Sequence, residues 1–201
     1  GKSVTLRHVI GLLQPDAGRV IVDGQDLAHT SEADLAGLRR RMGYVFQEAA
    51  LINWLTVAEN LALPLEETTD LKPGEIADRV AHTLGLVHIP DAADRFPSQI
   101  SGGMKKRVGL ARALITEPEI VLYDEPNAGL DPRIARSINE LIRELSDTLE
   151  VTSLVVEHRI DCLKAVADEV IFMHAGVALV REPTETFFKP NEPKLKEFLG
   201  T

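Results

Sequence analysis

The chain has 201 residues, 44% of them hydrophobic and 26% charged, a formal net charge of −9 and a single cysteine, Cys162. That length suits one substantial core, or one core with a small subdomain, and not two large domains; the acidic balance argues against a nucleic-acid partner, and a lone cysteine fits a reducing compartment. No apolar run approaches the roughly 20 residues that span a bilayer, and nothing at the start reads as a signal peptide, so membrane association is expected only through a partner.

The sequence opens Gly1-Lys2-Ser3 and enters an amphipathic run at once. It is therefore expected to begin inside a motif, as an N-terminally truncated piece. Leu6, Val9, Ile10 and Leu13 fall at three- and four-residue spacing, which predicts a helix from Ser3 to Leu13 with one buried face. A turn at Gln14 to Gly18 leads into a short strand, Arg19 to Val22, closed by the hairpin signal Asp23-Gly24. Ser31 with Asp34 resembles a capping box and starts a polar helix to about Arg41. Met42 to Phe46 reads as a strand, with Gln47 after it.

From about Glu48 to Gln99 strand-like runs give way to helix starts. Thr56 and Glu59 form a capping box, and Pro73 and Gly85 bracket a further helix with Ile76, Val80 and Leu84 on one face. This stretch reads as a helical insertion into an α/β domain. Ser101 caps a helix carrying Val108, Ala111, Leu114 and Ile115, and Ile120 to Tyr123 is a wholly apolar strand. Asp131 and Pro132 start a helix whose stripe is Ile134, Ile138, Leu141, Ile142 and Leu145. Val151 to Val156 reads as a buried strand ending at Glu157-His158. A helix with Leu163 and Val166 follows, then a hairpin of Val170–Met173 and Val177–Val180 around Ala175-Gly176, and short helical pieces near Phe187 and Phe198.

Three clusters carry chemistry. Gly1-Lys2-Ser3 at a helix start matches the end of the phosphate-binding loop G-x-x-x-x-G-K-[ST], in which backbone N–H groups and the lysine hold phosphate and the hydroxyl ligates magnesium. Alone, the tripeptide is a common chance sequence. Asp124 and Glu125 end the apolar strand where a nucleotide crevice forms; the first carboxylate can support magnesium and the second can polarise an attacking water. The alternative, a solvated Asp-Glu-Pro turn, stays open on those residues alone. Ser101-Gly102-Gly103 puts two residues without a Cβ at a helix start, so an anion can approach free N–H groups; in isolation, an ordinary serine cap with a loop glycine pair is the commoner reading. Lys105, Lys106 and Arg107 read as a solvated face.

Gly1-Lys2-Ser3, Gln47 after a strand, ISGGM, IVLYDE, Ala128 to Pro132 and His158 after a further strand stand in the order found in nucleotide-binding domains of ABC transporters, which the whole chain resembles. The resemblance implies an α/β P-loop NTPase fold with a mostly parallel sheet. Residues 1–201 would form one ATPase domain lacking its N-terminal strands, with a helical subdomain at 48–100 and a C-terminal helical tail at 182–201. It implies ATP and Mg2+ as ligands, with Gly1, Lys2, Ser3 and Val4 on the phosphates, and Ser3, Gln47 and Asp124 at the metal. Glu125 would be the general base and His158 a switch histidine on the terminal phosphate. Gln47 would also couple to the membrane subunit. Ser101, Gly102, Gly103 and Asp131 would close over ATP held by a second copy of the chain, as an ATP-sandwich dimer.

Two departures narrow the resemblance. Met104 stands where the family usually has glutamine, and Val4 replaces the usual threonine or serine. Both, with Asn60 to Leu65 and the stretch HVIGLLQPDAGRV, are similar to the Mla type of ABC ATPase, which energises phospholipid movement in the Gram-negative envelope. That implies an integral MlaE-like permease docked on the helical region, an MCE-domain lipid-binding protein in the complex, and a cytoplasmic location peripheral to the inner membrane. A non-transport ABC ATPase, another ABC importer or exporter, and a fragment with impaired ATP binding are the alternatives.

Overall fold

The computed structural model describes residues 1–200. In chain order the elements are α1 (Lys2–Val9), β1 (Ile21–Val22), β2 (Gln25–Asp26), α2 (Glu32–Arg40), β3 (Met42–Val45), α3 (Val57–Thr68), α4 (Pro73–Leu86), α5 (Gly102–Leu114), β4 (Ile120–Asp124), α6 (Pro132–Leu149), β5 (Thr152–Val156), α7 (Ile160–Val166), β6 (Glu169–His174), β7 (Val177–Pro183), α8 (Thr184–Phe187) and α9 (Pro193–Leu199). The three-stranded sheet β3-β4-β5 is parallel, with β4 in the middle and Met42 opposite Ile120 and Asp124 opposite Val156. The pairs β1-β2 and β6-β7 are antiparallel hairpins, so the parallel pairing is confined to the central strands.

Local chemistry explains most of the boundaries. Asp23 and Gly24 both take positive φ, as do Ala175 and Gly176, which gives the two hairpin turns a backbone twist that matches the strands they join. Ser31, Thr56, Ser101 and Asp131 each accept a first-turn backbone N–H and so start α2, α3, α5 and α6. Glu59 returns the bond at Thr56, completing a capping box. Helix α1 stops at Val9, short of Leu13, because Gly11 turns the chain at φ +72; Leu12 and Leu13 are consequently exposed.

Strand β4 is covered on both faces. Val121 and Tyr123 enter the main core, where they join Leu61 and Leu65 of α3, Val80 and Leu84 of α4, Val108 and Ala111 of α5 and Ile138 and Ile142 of α6. Leu122 points the other way and packs on Leu6 of α1 with Val156. The helices α3 and α4 thus share the core that supports β4. Helix α5 lies so close to β3 that a Cβ on Gly43 would sit 2.2 Å from the Ala113 carbonyl oxygen. Asn60, 1% exposed, ties the preceding loop to α3 by accepting from Ile52 N–H and donating to the carbonyls of Ile52, Leu55 and Thr56.

Two expectations about burial fail. Strand β5 is buried only at Val156, because its residues line a cavity of about 900 Å³ shared with β6. Ile134 of α6 is 36% exposed and rests against Gly103 instead of entering the core stripe.

Candidate functional site

The packing of Leu6 on Leu122 sets the start of α1 over the end of β4. The first intrahelical bond of α1 runs from Thr5 N–H to the Gly1 carbonyl, and no acidic residue lies in its first turn. The N–H groups of Lys2, Ser3 and Val4 are therefore available to an anion, with the helix dipole in support. Ser3 Oγ donates to Asp124 Oδ1 at 2.7 Å across 121 positions of sequence. Tyr44 of β3 donates its hydroxyl to Asp124 Oδ2 at 3.2 Å. Burial, reinforced by the Asp124 charge, pushes the Tyr44 phenol up to about 12, so it remains a donor at neutral pH.

Glu125 leaves β4 in the left-handed region, at φ 47, and its N–H bonds the Val156 carbonyl of β5 at 3.0 Å. The turn is closed by Ala128 N–H on the Glu125 carbonyl. Across this junction His158 Nδ1 stands 3.8 Å from Glu125 Oε1 and 3.3 Å from Glu157 Oε1. Glu157 is buried; its Oε1 accepts from the N–H groups of His158 and Arg159, while Oε2 has no partner. Lys2 and His158 open onto the same cavity between β5 and β6. The structure therefore brings Lys2, Ser3, Asp124, Glu125 and His158 into one neighbourhood.

Gln47 follows β3 with its side chain exposed, and its main-chain carbonyl makes the contact, accepting from Lys106 Nζ. Lys106 corrects the reading of a solvated basic face. It is 8% exposed, and burial pulls its pKa below the ordinary lysine value against the opposing effect of Glu157, Glu48 and Glu125. Arg107 likewise packs inward, onto the Val87 carbonyl and Ser137 Oγ. Tyr44, Glu157 and Lys106 are the site neighbours that sequence reasoning missed. None of the three was marked as such in the sequence: Tyr44 reaches the site because it stands opposite Leu122 in the sheet, on the face of β4 that Asp124 shares.

Ser101, Gly102, Gly103 and Asp131 form a second cluster. Ser101 Oγ accepts from Met104 N–H, and Asp131 Oδ1 accepts from the N–H groups of Arg133 and Ile134. A Cβ on Gly103 would meet Ile134 Cγ2 at 2.8 Å, whereas one on Gly102 would meet nothing. The two helix starts are thus pressed together, with Gly102 open on the outside. Among the described residues no hydrogen bond joins this cluster to the Ser3–Asp124 pair.

The donors beside the start of α1 are hydroxyl and carboxylate oxygens, the hard ligands that suit Mg2+ when phosphate and water complete its shell. No group of three or more His, Cys, Asp or Glu side chains suited to a metal occurs among the described residues. The set present fits a cation held together with a phosphate ligand better than an all-protein cage.

A family model described as "ABC transporter" matches residues 1–128. The probable ribonucleotide transport ATP-binding protein mkl of Mycobacterium tuberculosis (strain ATCC 25618 / H37Rv) is 39% identical over 200 residues, covering 100% of this chain and 56% of that protein. The methionine import ATP-binding protein MetN 1 of Pseudomonas putida is 39% identical over 200 residues, covering 99% of this chain and 60% of its own length. The chain therefore spans less than two thirds of these relatives. Among solved structures, the ATP-binding cassette MJ0796, in a dimeric post-hydrolysis state bound to ADP and Pi, matches with a TM-score of 0.81 and 31% identity over 92% of this chain and 81% of that one.

Proposed function

This chain belongs to the ABC transporter family, and we propose on that premise that it is the ATP-binding and ATP-hydrolysing part of a transporter. The observation that carries the reading is the 2.7 Å bond between Ser3 and Asp124 at an anion-ready helix start. Lys2 and the first-turn N–H groups of α1 hold the outer phosphates. Ser3 and Asp124, with Gln47 and bound water, hold magnesium, which supplies charge neutralisation as negative charge builds on the phosphate oxygens. Glu125 accepts the proton of the attacking water, and His158, 3.8 Å away, orients it and touches the terminal phosphate.

Ser101, Gly102, Gly103 and Asp131 lie in a separate cluster and serve the nucleotide of a second copy. The likeness to a dimeric cassette supports that arrangement. The region 48–100 docks on an integral permease, and the chain sits on the cytoplasmic side, peripheral to the inner membrane; among the described residues no helix is long and apolar enough to cross a membrane. Glu125→Gln keeps the shape of the side chain and removes the base. We expect ATP binding to persist and turnover to fall about a hundredfold or more; near-normal hydrolysis by this variant would rule out Glu125 as the base.

For the cargo, Met104 and Val4 support a phospholipid, moved with an MlaE-like permease and an MCE-domain protein. The 39% identity to proteins named for ribonucleotide transport and methionine import favours a second reading, import of a small solute. With the cognate permease in liposomes, the lipid reading expects ATP-dependent movement of a labelled phospholipid. Movement of labelled methionine or a ribonucleotide instead would replace it.

A further inference from the structure

Asp124 uses both carboxylate oxygens inside the protein. Oδ1 takes the Ser3 hydroxyl and Oδ2 the Tyr44 hydroxyl, so the group is held from α1 on one side and from β3 on the other. The sheet register accounts for the second contact. Tyr44 is opposite Leu122, two residues before Asp124; Leu122 and Asp124 share a face of β4, and the long phenol reaches diagonally along that face. Its backbone is fixed on either side by buried Gly43 and Val45, and its ring lies 4.6 Å from that of Phe46.

An aspartate carboxylate turns about a broad, roughly two-fold torsion. With Ser3 as its only partner, Asp124 could keep that bond through either oxygen and over a range of tilts. A second donor on the other oxygen removes the freedom, and it does so in a group only 9% exposed, where little water competes. The Tyr44 hydroxyl has one proton, and it is committed to Oδ2. Its effect on the site passes through Asp124.

We propose that Tyr44 is a positioning residue for the divalent cation: its hydroxyl locks Asp124 so that Oδ1 stays presented to Ser3 and to the metal's water shell. This rests on the reading of Ser3 and Asp124 as the magnesium-supporting pair. Phenylalanine in this place keeps the ring packing and loses only the lock.

The test uses Mn2+ as a spectroscopic stand-in, with free Mn2+ followed by electron paramagnetic resonance in the presence of ATP. For Tyr44→Phe we expect the Mn2+ concentration at half-occupancy to rise about tenfold, the scale of losing one hydrogen bond to a charged group. ATP affinity measured in EDTA stays within about twofold, and the nucleotide-free melting temperature within about 2 °C. A variant with wild-type Mn2+ affinity overturns the proposal. So does one that loses ATP affinity in EDTA as fully as it loses Mn2+, since that marks a general structural role. If the wild-type chain takes up no Mn2+ with ATP, the magnesium reading of Ser3 and Asp124 fails, and the role of Tyr44 fails with it.

Discussion

Strands β4 and β5 lie side by side, have similar apolar content and are packed to opposite extents. Val121, Leu122 and Tyr123 of β4 are fully buried, flanked by strands on both edges and by helices on both faces. The central residues of β5, Ser153 to Val155, are only half-buried beside the cavity, and across it Ile171 of β6 is 48% exposed. Strand β3 likewise pairs only with β4 among the described residues and is buried at three of its four positions, so the contrast comes from cover on the faces, which β5 lacks where it meets the cavity. The candidate site straddles this boundary. Asp124 and Glu125 come from the firmly held strand, whereas Lys2 and His158 face the open one, so the carboxylate half of the site is the better fixed half.

The strongest way to break the contrast is to disturb the firm side where it has no slack. A Cβ on Gly43 would stand 2.2 Å from the Ala113 carbonyl oxygen and 3.0 Å from its carbon, both backbone atoms of α5. Neither can swing aside as a flexible side chain could. Gly43→Ala therefore has to push α5 off the sheet, with a loss of about 3 kcal/mol, at the upper end of overpacking effects. For a chain of this size that lowers the melting temperature by about 6–12 °C. A melt unchanged from wild type would show that β3 and α5 are not in the close contact on which the firm side depends.

The same contrast separates what the sequence made legible from what it did not. Helix starts at Ser31, Thr56, Ser101 and Asp131 were readable because a cap is a contact between residues two or three apart. The turns at Asp23-Gly24 and Ala175-Gly176 were readable because the left-handed backbone selects few residue types. Ser3 and Asp124 could be paired at a distance only because each sits in a recognisable motif. Lys106 had no such marker: three consecutive basic residues read as a wet face, and only the position of the loop after β3 turns one of them inward onto Gln47. The exposure of β5 was equally hidden, because an apolar run reports that a strand prefers cover, not whether a neighbouring element supplies it.

The smallest effect belongs on the open side. Ile171 projects from β6 among the residues that line the cavity, and nearly half of its surface already meets water. Replacing it by serine removes apolar area of which about half is already hydrated in the folded chain, so only about half of the transfer free energy of a fully buried isoleucine is lost. No tightly packed shell closes around the gap, so the added penalty of an empty core cavity does not arise. Ile171→Ser is expected to lower stability by about 1 kcal/mol, half of a full burial term, and to lower the melting temperature by about 2–4 °C. A loss near that of Gly43→Ala would mean that the cavity between β5 and β6 is closed in solution and that Ile171 packs against whatever closes it.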